Sequence, residues 1–134
     1  MSEKQSRRPY VLTIDEDFPL VVCLCGSTRF SEAFRKANLQ ETLAGHIVLS
    51  IGCDFKSDEA LGLTEVDKAR LDALHLRKIE LADEILVLNV GDYIGASTAN
   101  EILCARLLGI PIRWLEPHQC KIQECPCGEG ACKD

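Results

Sequence analysis

Four short apolar runs recur along the chain, each followed by a polar or amphipathic stretch. The run "PLVVCLC" (residues 19–25) is rich in β-branched residues and bounded by a proline and by Gly26, which predicts a buried strand that stops at Gly26. Directly behind it, "RFSEAFRKANLQETLAG" sets Phe30, Ala33, Phe34, Ala37 and Leu43 close to helical spacing. "HIVLSIG" predicts a second strand, "CDFKSDEALGLTE" a polar connection, and "TEVDKARLDALHLRKIELAD" a long helix. Thr64 followed three residues later by Asp67 is a capping-box start, and Val66, Ala69, Ala73, Leu76, Ile79 and Leu81 supply the apolar side. "EILVLNV" predicts a third strand, "GDYIGAS" a loop, "TANEILCARLLG" a helix closed by Gly109, and "IPIRWLE" a fourth strand.

Strands that alternate with helices imply right-handed crossovers and a mainly parallel sheet covered on both faces. The expected fold is therefore α/β, a three-layer Rossmann-like or flavodoxin-like domain with four to five strands. At 134 residues and 46% hydrophobic content the chain suits one domain, spanning 1–118 with its core at about 20–116, followed by a cysteine-rich tail at 119–134.

In such a sheet, ligands bind beyond the carboxyl ends of the strands, near the switch in strand order. Three loops qualify, and they carry "GSTRF", "GCDFKSDE" and "NVGDYIGASTANE". In the first, a glycine turn leads into a helix N-terminus, where backbone N–H groups and the helix dipole favour an anion. Ser27, Thr28 and Arg29 add neutral and charged donors to the same anion. In the third, Ser97 is expected to cap the last helix, with Thr98 and Asn100 in its first turn and Glu101 one turn beyond Ser97. Tyr93 and Phe55 are loop aromatics able to stack on a base.

Charge and targeting narrow the partners. Lys and Arg number 15 against 21 Asp and Glu, and the net charge of −6 argues against a nucleic-acid polymer while leaving room for one small anion. No apolar run approaches the ~20 residues of a membrane span, and "MSEKQSRRPY" lacks the apolar segment of a signal peptide. A cytoplasmic location without membrane association is expected.

In a reducing compartment Cys23, Cys25, Cys53 and Cys104 read as small core hydrophobes. The tail holds Cys120, Cys125, Cys127 and Cys132 with gaps of four, one and four residues, unlike the paired CxxC of a zinc ribbon. A flexible or redox-labile tail is expected ahead of a structural zinc site there, and neither a cofactor nor a pocket metal is expected.

A strand ending in "GSTRF", a helix with His75, Ile79, Ala82 and Asp83 in an H-x-x-x-I-x-x-A-D pattern, a strand ending in Asn89, and "STANE" before a helix closed by "GIPI" resemble the nucleoside 2-deoxyribosyltransferase superfamily. Within it the sequence is most similar to the 2'-deoxynucleoside 5'-phosphate N-hydrolases, which carry a Gly-Ser-x-Arg turn. The resemblance covers roughly residues 20–116.

It implies that Glu101 is the nucleophile that attacks the sugar, and that Gly26, Ser27 and Arg29, with Thr28 beside them, bind a 5'-phosphate. The family usually has an aspartate where this chain has His75, with Asp72 three residues earlier, and often an acidic residue where it has Asn89. His75, Asp72 and Asp92 are accordingly the groups expected to help the base depart, with Ser97, Thr98, Asn89, Asp92 and Tyr93 around the substrate. The expected activity is hydrolysis of the N-glycosidic bond of a nucleoside or deoxynucleoside 5'-monophosphate, since a cationic clamp has no use on an unphosphorylated nucleoside. A deoxyribosyltransferase and a non-catalytic nucleotide-binding module of the same fold are the alternatives. The superfamily's members are dimers or larger, and a homodimer is expected.

Overall fold

The structure, a computed structural model, describes residues 17–52 and 61–118. Cys53, Phe55 and the tail at 119–134 lie outside them, so the zinc and redox expectations for the tail and the stacking role of Phe55 do as well. The described residues form four strands and three α-helices: β1 (Val21–Cys25), α1 (Ser31–Leu43), β2 (Ile47–Leu49), α2 (Glu65–Leu81), β3 (Glu84–Val87), α3 (Ala96–Leu108) and β4 (Ile112–Trp114). A single 3-10 turn at Val90–Asp92 links β3 to α3.

All four strands are parallel and ordered β2-β1-β3-β4. The chain leaves β1 in one direction to make β2 and later crosses to the other side to make β3. The order therefore switches between β1 and β3, and the loops at their carboxyl ends flank that switch. This is the α/β, Rossmann-like three-layer architecture that the alternating pattern predicts. No helix among the described residues is long and apolar enough to cross a membrane.

Strand β1 is buried along its whole length, and its two faces serve different layers. Val22 and Leu24 pack with Phe34 and Ala37 of α1 and with Leu86 and Leu88. Val21, Cys23 and Cys25 point the other way and pack with Ile79 of α2, Ile102 and Ala105 of α3, and Ile85 and Val87 of β3. The alternation of a strand thus sets both thiols on the face that α2 and α3 cover.

Three local expectations change. Helix α3 starts at Ala96 with Gly95 as its N-cap, not Ser97, and no side chain caps it. Ser97 is its second residue and is exposed. Helix α2 has the capping box at Thr64 and Asp67, but its deeply buried residues are His75 and Ile79. Val66, Ala69 and Ala73 are exposed, because only the stripe aimed at β1 and α3 meets another layer. In α1 the buried residues are Phe34, Ala37 and Glu41, whereas Leu43 is 77% exposed. Glu41 is tolerated there because Arg113 grips both its oxygens, at 2.7 and 3.0 Å, and His46 Nδ1 lies 2.8 Å from Oε1.

Candidate functional site

The turn after β1 is built around close approach. A Cβ on Gly26 would lie 3.1 Å from Leu88 Cβ and 3.2 Å from Leu88 O, so glycine is needed for the ends of β1 and β3 to pack. The Leu88 N–H also donates to Cys25 O at 2.7 Å. Beyond Gly26 the chain folds back on itself: the Phe30 N–H donates to Ser27 O at 3.0 Å, and the Arg29 N–H donates to Ser27 Oγ at 3.3 Å. Phe30 takes the N-cap position of α1 and offers no side-chain cap.

Thr28 and Arg29 are exposed, and the Arg29 guanidinium sits 4.2 Å from the centre of the Tyr93 ring. Phe30 meets the same ring edge-on, with centroids 5.9 Å apart. Tyr93 thereby ties the loop after β3 to the turn after β1. Arg29 pairs with no carboxylate among the described residues, so its charge faces solvent at the end of the sheet.

The loop after β3 is held from within. Asn89 is fully buried; its Nδ2 donates to Asp92 Oδ1 at 3.1 Å and to Glu116 O at 2.9 Å, and its Oδ1 accepts from the Glu116 N–H at 3.0 Å. Asp92 Oδ1 also meets His118 Nδ1 at 2.8 Å, and His118 stacks on Trp114 with centroids 4.3 Å apart. Asn89 and Asp92, expected beside a substrate, are thus engaged in fastening this loop to the end of β4. Thr98 is likewise buried, at 3% exposure.

Asp72 of α2 and Ser97 of α3 do come together. With Ala96, Ala99, Asn100 and Leu103 they line an open cavity of about 570 Å³ between the two helices. His75 lies one turn beyond Asp72, and Glu101 one turn beyond Ser97, so both sit on the adjoining faces of the same helices.

His75 and Glu101 meet against β1. His75 Nε2 is 4.0 Å from Glu101 Oε1 and 3.6 Å from the sulfurs of both Cys23 and Cys25. All four residues are buried, and Glu101 Oε1 has no hydrogen-bond partner. Burial pushes the Glu101 carboxyl up to about 7, opposed by the attraction of His75. For His75, burial works against the imidazolium, but the hydrogen bond and charge of Cys23 and the charge of Glu101 outweigh it and raise its pKa. A hydrogen bond from Cys25 lowers the Cys23 thiol to about 6, helped by His75, while the same pairing and burial drive Cys25 upward.

Cys23 and Cys25 read from sequence as plain core residues, and their burial agrees with that. Their shared contact with His75 does not follow from burial. The signal for it was the C-x-C spacing on a strand, which puts two thiols on one face; the imidazole they meet is some fifty residues away in sequence. No family model, no curated protein and no solved structure matches the chain.

Proposed function

We propose that this protein is a nucleotide N-glycosidase that hydrolyses the N-glycosidic bond of a nucleoside or deoxynucleoside 5'-monophosphate, with Glu101 as nucleophile. The observation that carries this reading is a buried carboxyl with a free oxygen, one turn below a helix-flanked cavity, in a fold whose β1–β3 switch also presents the exposed cation of Arg29. The resemblance of "GSTRF" and "STANE" to the nucleoside 2-deoxyribosyltransferase superfamily supplies the reaction class.

In this mechanism the Glu101 carboxylate attacks C1' of the sugar as the bond to the base breaks through an oxocarbenium-like transition state. The bonding pair leaves with the base, which takes a proton from a water held by Asp72 at the cavity wall. A second water then attacks C1' of the glycosyl ester and gives its proton to the hydroxide left by the first, returning Glu101 and releasing the sugar phosphate. His75 acts as a positioning residue: its positive charge beside Oε1 favours the ionised carboxylate that the first step needs. Arg29, Ser27 and Thr28 grip the phosphate and fix the sugar relative to Glu101, so that binding energy far from C1' lowers the barrier.

A non-catalytic nucleotide-binding module is the second reading, favoured by the 8% exposure of Glu101. The deciding experiment is base release, followed by chromatography, from ribo- and deoxyribonucleoside monophosphates and their parent nucleosides, with wild type beside Glu101→Gln. Release from a monophosphate that disappears in the variant is the expected result. A nucleotide that binds saturably and is recovered intact would overturn the glycosidase in favour of the module.

A further inference from the structure

We propose that Cys23, Cys25 and His75 bind one divalent metal ion of the zinc class, with the Glu101 carboxylate closing the coordination shell. Three lines of geometry converge on this.

The first is spacing. The sulfurs of Cys23 and Cys25 and Nε2 of His75 lie within 4.8 Å of one another, all on buried residues. With metal–sulfur and metal–nitrogen bonds of roughly 2.3 and 2.1 Å, a tetrahedral ion sets each sulfur about 3.6 Å from the nitrogen. Both sulfur–nitrogen distances are 3.6 Å. The Glu101 carboxylate lies outside this set of three; its Oε1 is 4.0 Å from Nε2 and must move inward, to about 3.4 Å from that nitrogen, to complete the shell around such an ion.

The second is hydrogen-bond capacity. Nε2 is a single atom that carries either one proton or one lone pair, yet two sulfurs and a carboxylate oxygen surround it. It can satisfy one of the three at a time, and Glu101 Oε1 is the one left without a partner in a buried setting. A cation at the centre of the four groups satisfies all of them together.

The third is donor chemistry. Two thiolates, an imidazole and a carboxylate suit a borderline-soft ion such as zinc or cobalt, and not magnesium or calcium, which take oxygen ligands. Loading expels both thiol protons to solvent, and the carboxyl proton where Glu101 carries one. Two thiolates and a carboxylate around a divalent ion leave one net negative charge. Lys78, whose charge acts on both Cys23 and His75, offsets it from α2. The cavity lined by Asp72 and Ser97 lies one turn before His75 and Glu101 on the same two helices.

The test uses the full-length chain with Cys53, Cys120, Cys125, Cys127 and Cys132 each replaced by Ser, so that no thiol outside the described residues competes. It is titrated with cobalt(II) after treatment with a chelator and a thiol reductant, and zinc is then added. The expected result is one cobalt per chain, with the thiolate-to-cobalt charge-transfer band and the ligand-field bands of a tetrahedral ion, all abolished by zinc. Melting temperature should rise with zinc concentration as linkage requires. Cys25→Ala and His75→Asn, each made in this background, should weaken binding by at least the roughly 100-fold that loss of an outer-shell partner can cost. Cys25→Ser, nearly isosteric, replaces the Ala variant if the latter fails to fold. Absence of the charge-transfer band from the parent, or a band and stabilisation that survive the substitutions in folded protein, would overturn the site. None of these readouts depends on glycosidase activity.

Discussion

Nε2 of His75 stands 4.0 Å from Oε1 of Glu101, and neither group reaches its position by helix geometry alone. His75 is in the third turn of a seventeen-residue helix and Glu101 in the second turn of another; the contact exists because both helices lie on one face of β1. A carboxyl and an imidazole that share one proton form either a neutral pair or an ion pair. What else enters the site decides between the two.

Zinc should therefore inhibit base release. A carboxylate bound to a metal cannot attack C1', so under the two proposals together the metal-free protein should be active and stoichiometric zinc should silence it. The measurement is initial rate against free zinc at fixed pH, with Cys25→Ala as the comparison. Loss of activity in wild type with retention in the variant is expected. Equal inhibition of both would place the inhibitory zinc elsewhere.

Arg29→Ala should raise the KM for a nucleotide about 10- to 100-fold, the equivalent of one lost charge-assisted hydrogen bond or two. The parent nucleoside should be almost unaffected. The guanidinium rests on the Tyr93 ring and on no carboxylate among the described residues, so its removal strands no buried charge there and the fold should persist. Parallel effects on nucleotide and nucleoside would remove the phosphate from Arg29.

Asn89→Asp, the substitution that restores the acidic residue common in the resembled family, should destabilise the protein by about 2–3 kcal/mol. It removes the amide that donates to Asp92 and to Glu116 O, and it sets a carboxylate against Asp92 in a buried place. A lowered denaturation midpoint with unchanged m-value is the expected signature. A stability equal to wild type would show that the loop after β3 holds without this amide.

Acid should weaken the junction of α1 with β4. The Arg113 hydrogen bonds, aided by His46, hold the Glu41 carboxyl below its ordinary value of 4.5. Its contribution to stability is complete above the unfolded-state value and is lost as pH falls through the lowered folded-state one. Glu41→Gln should cost about 1–3 kcal/mol at pH 7, with the gap to wild type narrowing below about pH 4. Thermal melts across that range check it, and a gap that is independent of pH would assign the cost to packing alone.

Leu71 and Leu74 of α2 and Leu103 and Leu107 of α3 are all at least 40% exposed on the two helices that flank the cavity. The homodimer that the family resemblance implies is a proposal, and in it these exposed leucines would be buried against a second copy of the chain. Sedimentation should give a dimer at micromolar concentration, and Leu74→Glu with Leu107→Glu should give a monomer. A wild-type monomer would set the proposal aside.

Much of the fold is local in origin and so was legible along the chain. Apolar runs with β-branched residues, the Thr64–Asp67 capping box and the Gly109 stop are short-range signals, and the alternation of strand and helix leaves few arrangements besides a parallel sheet. The turn at Gly26–Phe30 belongs to this class, though the need for glycine lies in the approach of Leu88, a residue from another strand. Side-chain roles that depend on two distant segments were not legible. Asn89 and Asp92 looked free to meet a substrate until β4 brought Glu116 and His118 against them. Cys23 and Cys25 looked like core filler until α2 and α3 laid an imidazole and a carboxyl over them. Period and propensity say which residues turn inward; only the crossing of helices over a sheet decides which inward-facing polar groups meet, because that contact is set by packing between elements and not by spacing within one.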